Sequence, residues 1–272
     1  MTGVNIKFHS LHDELEDHHK KIELITKEAE KLLTTYTANP GELQRVPTGV
    51  EGFDELIEGG IPQKSLVLLS GTTGTGKSIF GMKFLIHGAQ TGEPGIYISL
   101  QESMEETLNQ MRFFGWPVDE LIEKGLLLIV QPELYNYEAL LTIIEDTIDK
   151  VKAKRLVIDS LSIIGMYFEE PFKIRKSLLD LETLLKKLGC TTLAISEIGE
   201  GQNELSPYGV EEYVADGVFV LYYLRQGNMF LRAVAIRKLR STKHSTKIHP
   251  VEIERPGGML VYPSEEVFTD IT

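Results

Sequence analysis

The stretch "SLVLLSGTTGTGKS", residues 65–78, joins a short apolar run to a loop of glycines and threonines that closes on Lys-Ser. Six residues of that composition, ended by glycine, read as a strand buried on both faces. Gly71, Thr72, Thr73, Gly74, Thr75, Gly76, Lys77 and Ser78 match the spacing G-x-x-x-x-G-K-[ST]. Glycines let such a loop fold so that backbone N–H groups converge on phosphate oxygens at the start of the next helix, where the dipole also favours negative charge. In that arrangement Lys77 reaches the outer phosphates, the Ser78 hydroxyl holds Mg²⁺, and Ile79 completes the binding segment. A glycine-rich turn without a ligand is the bland alternative. The strand before the loop and the helical pattern after it argue against that alternative.

Working outward, further apolar runs alternate with helical stretches. The strand candidates are residues 65–70, 95–100, 126–130, 155–160 and 191–196, with helices expected near 77–91, 103–114, 137–152 and 172–188. Strands apolar throughout, separated by helices, predict a mostly parallel α/β sheet covered on both faces. Beyond residue 215 the helical periodicity stops. "GVFVLYYL", "MFLRAVAIRK", "KIHPVEIE" and "GMLVYP" follow, with "RQGN" and "PGG" as turns, which predicts an antiparallel extension of the same sheet.

A nucleotide site also needs an acid at the end of a buried strand. "RLVIDS" offers Asp159, which would hold Mg²⁺ together with Ser78. A strand-end Asp often does no more than cap the following helix. Beside the loop at 71–78 it becomes the expected partner.

The first 41 residues differ from the rest. Leu11, Leu15, His18, Ile22, Ile25, Ala29, Leu32 and Tyr36 recur at steps of four and three among charged residues, which predicts an N-terminal amphipathic helix, and "TANPGE" closes it. A main domain is expected over 42–272. His9, His12, His18 and His19 invite a metal reading, but no cysteine or settled tetrahedral spacing goes with them, so a solvated helix face is preferred.

Composition narrows the partners. The 272 residues carry 40 acidic and 28 basic side chains, a net charge of −12, so any attraction to nucleic acid or to an anionic membrane must be local. The single cysteine, Cys190, lies in apolar surroundings and reads as a buried thiol of a reducing compartment. No apolar run approaches the ~18 residues of a membrane span, and the N-terminus lacks the layout of a signal peptide. A cytoplasmic location with no membrane contact is expected. One local excess of charge stands out in "IRKLRSTKHSTK", residues 236–247, which holds Arg237, Lys238, Arg240, Lys243 and Lys247.

Together these residues resemble the KaiC-like ATPases of the RecA/RadA superfamily. The likeness is carried by "RVPTGVEGFDELIEGGIPQKSLVLLSGTTGTGKS", "GVEEYVADGVFVLYY", "KLRSTKH" and "GGMLVYPSEEVF", and covers about residues 45–268. It implies one RecA-like P-loop NTPase domain that binds ATP and Mg²⁺ at subunit interfaces, commonly in a homohexameric ring. Loop spacing alone does not separate ATP from GTP. The resemblance also implies that Lys238 and Arg240 reach from one subunit to the γ-phosphate held by its neighbour, while Arg237, Lys243 and Lys247 are ordinary surface. A nucleic-acid patch is the competing reading of this segment, disfavoured because it lacks interleaved aromatic residues.

Three departures from the family qualify the expectation. Where the family has two acids after the second strand, this chain has Gln101 and Glu102. Glutamine positions water without accepting its proton, so either Glu102 serves as base or the protein is a slow ATPase acting as a nucleotide-gated switch or scaffold. Glu102 also has a reading as a helix N-terminal charge. Where the clock protein's second repeat is phosphorylated on a Ser-Thr pair, this chain has Glu212 and Tyr213, which makes autokinase activity less expected and leaves Ser206 as a remaining hydroxyl. Finally, the loop "EIGEGQNELSPYGVEE" carries five glutamates and no cation, and Lys173, Arg175 and Lys176 read as helix surface. A DNA-repair accessory ATPase is therefore the runner-up to a nucleotide-driven ring or signalling switch with a protein partner still to be named.

Overall fold

The computed structural model describes residues 43–133, 136–168, 170–199 and 204–267. The expected helix over 11–36 and its histidines lie outside the described residues. A two-residue pair, β1 (Arg45–Val46) with β2 (Ile61–Pro62), precedes the main sheet. The sheet elements then run β3 (Leu66–Gly71), α1 (Lys77–Gln90), β4 (Gly95–Ser99), α2 (Met104–Phe113), α3 (Val118–Glu123), β5 (Leu127–Val130) and α4 (Tyr137–Val151). After them come β6 (Arg155–Asp159), α5 (Pro171–Leu188), β7 (Thr191–Glu197), a short α6 (Glu211–Val214), β8 (Gly217–Gln226), β9 (Met229–Leu239), β10 (His249–Glu254) and β11 (Gly258–Val261).

These strands form one nine-stranded sheet in the order β11-β10-β9-β8-β3-β7-β6-β4-β5. From β8 to β5 every pairing is parallel, and β8-β9, β9-β10 and β10-β11 are antiparallel. The parallel sheet and its antiparallel extension agree with the sequence reading. The strand order is new, since β3 lies between β7 and β8, far from its neighbours in sequence.

β3 shows why Leu66 to Leu69 are apolar without a break. Val67 and Leu69 point into a core shared with Phe53, Phe80, Met82 and Phe219, while Leu66 and Leu68 point into a second core built with α4, α5 and α6. Successive strand residues face opposite sides, so a strand covered on both faces is apolar on both, and its one buried hydroxyl, Ser70, donates to the Leu205 carbonyl. In the first core the rings of Phe53 and Phe80 meet edge to face at 5.0 Å, and Phe53 and Phe219 at 4.9 Å. Such pairs add to their burial and fix α1 against the sheet behind the loop. Cys190 is fully buried in the second core, and burial pushes its thiol up to about 12.

Helix ends follow local chemistry. α2 starts at a capping box in which the Ser103 hydroxyl accepts from Glu106 N and Glu106 accepts from Ser103 N. α5 begins with Pro171 and ends at Gly189 in the left-handed conformation. Three helical pieces escaped the sequence reading: the 3₁₀ segment Asp54–Ile57, α3 and the 3₁₀ segment Leu161–Met166. Each is about two turns or less, too short for a periodicity to register.

Candidate phosphate-binding site

The carboxyl ends of the parallel strands share one edge of the sheet, where open α/β folds bind ligands. β3 delivers Gly71 to that edge and α1 starts at Lys77. Gly76, the cap of α1, has φ +100°, a left-handed conformation that L side chains resist. Gly71 is required for space, because a Cβ there would come within 2.4 Å of the Leu221 carbonyl oxygen. The first turn of α1 carries no acidic residue of its own, which leaves its unpaired N–H groups and dipole favourable to an anion.

Inside the loop, Thr75 is buried and its hydroxyl donates to the Thr72 carbonyl at 2.9 Å. Lys77 Nζ donates to the same oxygen at 2.9 Å. Burial lowers the Lys77 pKa, and the nearby carboxylates of Glu197 and Asp159 work against that shift. The ammonium is thus held in place by a single neutral acceptor, ready to exchange it for an anion.

Asp159 ends β6 with its side chain turned to the loop. Ser78 Oγ and Tyr97 Oη both donate to Asp159 Oδ2, at 2.7 and 2.5 Å. The helix-capping alternative does not hold, since the following 3₁₀ segment has Ser160 as its cap residue and no side-chain capping bond. Tyr97 is buried, which raises its phenol well above the ordinary value, and the Asp159 charge adds to the effect. It stays a donor.

A cleft of about 290 Å³ opens above the loop, lined by loop residues, Ile79, Glu102, Gln110, Glu197, Arg232 and Ile253. Glu102 is part of its wall and accepts from Gln110 Nε2 at 2.7 Å. Burial raises the Glu102 pKa first of all, with Asp159, Glu106 and Glu197 adding to it and the Gln110 bond opposing. Gln101 is placed differently: its amide donates to Ser160 Oγ at 3.1 Å and it does not line the cleft. The helix α2 begins after Glu102, at Met104, so Glu102 precedes the helix. An adjoining hollow of about 490 Å³ is walled by Ile79, Glu106, Asn109, Gln110, Phe113 and Phe114. Another of the same size lies at the β10 edge, but Glu252, Glu265 and Glu266 in its wall would repel phosphate.

Arg232, Glu197, Gln110 and Tyr97 are wall or support residues that the sequence reading did not assign. Arg232, on β9, donates from Nε to the Gly74 carbonyl at 3.0 Å and lies over the Tyr223 ring at 5.0 Å. An arginine in an alternating strand carries no local mark of such a role; only pairing of β9 beside β8, and β8 beside β3, brings it to the loop.

Lys238 and Arg240 sit elsewhere. Lys238 pairs with Val218, level with Leu68, and Arg240 N bonds to Asp216 O, level with Leu66. Arg240 is therefore five residues, about 16 Å, below Gly71 along the sheet and cannot serve its own loop. Lys247 pairs with Glu266. On α5, Lys173, Arg175 and Lys176 occupy exposed positions. In the acidic loop, Glu211 is buried and accepts from Val210 N, and Ser206, fully buried, donates to Glu212. Those two glutamates are tied to the fold instead of facing an open DNA groove, and Ser206 is closed off as a phosphate acceptor in this conformation.

The donor set fits a nucleotide with a hard divalent cation: a loop of N–H groups, a buried lysine, and a hydroxyl and carboxylate already 2.7 Å apart. Among the described residues no cluster of three or more His, Cys, Asp or Glu could hold a metal by itself, so oxygens from phosphate would have to complete such a site. Fold and site define a nucleotide-binding P-loop protein of the RecA-like type. A profile described as "ATPase: KaiC" matches residues 46–266. A UPF0273 protein of Pyrococcus furiosus is 35% identical over 82% of this chain and 96% of its own length. The circadian clock oscillator protein KaiC of Thermostichus vulcanus is 34% identical over 82% of this chain but 45% of its own. The crystal structure of a KaiC-like protein from Pyrococcus horikoshii superposes with a TM-score of 0.75 at 42% identity, covering 82% of this chain and all of that one. The chain belongs to the KaiC-type ATPase family.

Proposed function

We propose that this protein binds ATP with Mg²⁺ in the cleft above β3 and hydrolyses it as a homohexameric ring, each nucleotide lying between two subunits. The observation that carries the reading is the joint placement of Lys77, Ser78 and Asp159 around one loop. Lys77 and the loop N–H groups hold the outer phosphates; Ser78 and Asp159 hold the metal. Magnesium, when bound, neutralises charge on the phosphate oxygens. Arg232 stands on the loop from the same chain. The adjoining hollow with Ile79 and Phe113 is of a size and apolarity suited to the base.

Glu102 is the residue suited to orient and deprotonate water. It is a carboxylate in the cleft wall with its pKa raised toward the working range of a general base, whereas Gln101 is turned to Ser160. Lys238 and Arg240 supply their charge to the neighbour's nucleotide, because their own loop is out of reach. A ring is supported by that distance: it leaves each loop in need of cations from another copy. DNA is left out of this reading because the loop after β7 spends its charges on carboxylates. A nucleotide-gated signalling switch toward a protein partner, with slow turnover, follows if the Gln101 departure limits the rate. No described helix is long and apolar enough to cross a membrane.

Mg²⁺-dependent ATP hydrolysis by purified protein, set against a Lys77→Ala control, tests the reading. Turnover no higher than that control removes hydrolysis and leaves the switch.

A further inference from the structure

Both cations assigned to the neighbour's phosphate are gripped by one short segment of their own chain. Lys238 Nζ donates to the carbonyls of Glu212 and Ala215, at 3.1 and 2.6 Å. Arg240 Nη1 donates to Asp216 Oδ1 at 2.8 Å, and Arg240 N bonds to Asp216 O. Asp216 is 8% exposed at its side chain, while Arg240 is 52% exposed. The same carboxylate accepts from Leu66 N, the first residue of β3, and pairs with Lys186 in the last turn of α5 at 3.2 Å.

We infer that Asp216 is a positioning residue for Arg240, clamping one edge of the guanidinium to the foot of β3 so that its outer face is presented to the nucleotide of the adjacent subunit. The inference rests on the trans role of Arg240 proposed above. Two observations carry it. A carboxylate this buried is costly unless paired, and with Lys186 shared between Asp216 and Glu182, Arg240 is the cation at 2.8 Å while Leu66 N donates to the carboxylate and anchors it to β3. The contact also uses Nη1 of a side chain with five donors, so a flexible arginine is held at one edge while the rest remains exposed. A guanidinium fixed in this way loses less freedom when it meets the anion than one free in solvent.

The test is Asp216→Asn in the full chain. Turnover should fall about 10- to 100-fold, the scale of a misplaced catalytic group, with KM for ATP changed little, because the nucleotide is bound by the other subunit. Mixing Asp216→Asn with Lys77→Ala subunits should restore part of the activity, since intact loops then meet intact arginines. The double variant Asp216→Asn/Arg240→Ala should turn over no more slowly than Arg240→Ala alone. A readout apart from turnover is the release of a non-hydrolysable ATP analogue from the assembled particle, expected to be faster in Asp216→Asn, with ADP release unchanged. Should the Asn variant not fold, Asp216→Glu keeps the charge, shifts it by one methylene, and carries the same mixing test.

Unchanged turnover, a rise in turnover, or a loss that mixing does not recover would each overturn the inference. A strong Arg240→Ala defect beside an unimpaired Asp216→Asn removes the clamp alone. An Arg240→Ala variant with full activity removes the trans reading and the clamp with it.

Discussion

The head of β3 and the foot of β9 both gather positive charge, in opposite ways. At the head, Lys77 and the N-terminus of α1 are assembled from one continuous stretch of chain, and the acceptor of Lys77 is a loop carbonyl. At the foot, Lys238 and Arg240 are tied to residues 212–216 and lie on the level of Leu66 to Leu68. At one end the groups come from the chain's own loop; at the other the cations lie outside the cleft above that loop. In the ring proposed above, a site divided in this way would tie chemistry to assembly.

The largest effect expected on that comparison is at the head. Lys77→Ala removes the buried ammonium from the phosphates, and turnover should drop about 10³-fold or more, with nucleotide binding weakened in the same measurement. Arg240→Ala should also cost about 10³-fold in turnover while equilibrium ATP binding stays within a few-fold. A mixture of the two variants should then regain activity. No regain would erase the contrast between a local and a shared end.

A smaller loss, about 10²-fold, is expected for Glu102→Gln. In its proposed role Glu102 works as the carboxylate, so turnover should fall as pH drops through its pKa. Because burial raises that pKa, the acid limb of the pH–rate profile should be displaced to higher pH than an unperturbed glutamate would give, and should flatten in the variant. Gln101→Glu should change the rate far less, since residue 101 faces Ser160; a large acceleration would instead show that the missing first acid limits hydrolysis.

The smallest effect is on stability. Tyr97→Phe deletes one of two hydroxyls on Asp159 Oδ2, a hydrogen bond to a charged group, and should lower unfolding free energy by about 1.5 kcal/mol in a denaturant titration.

Much of this was legible because the signals are local. The strand runs, the four long helices of the domain and the antiparallel tail follow from apolar patterning over short windows, and they match the structure to within a residue or two at most ends. Lys77 and Ser78 are spaced by the chain itself. Asp159 was legible as a strand-end acid, but its bond to Ser78 spans 81 residues and could only be expected. Arg232 and Tyr97 were missed because each is an unremarkable strand residue until β9, β8, β3, β7, β6 and β4 are laid side by side. The choice between Glu102 and Gln101 was likewise undecidable from adjacency: a strand end turns neighbouring side chains in different directions, and only the backbone after Ser99 determines which one lines the cleft.

By itself the sequence determined the α/β class, the phosphate loop and the family, since hydrophobic period and glycine spacing act over a few residues. Tertiary structure alone decided that β3 is central, that Arg232 joins the loop, and that Lys238 and Arg240 are out of its reach. The reason is that strand order is set by which buried faces pack together across the whole chain, and no window of sequence contains that competition.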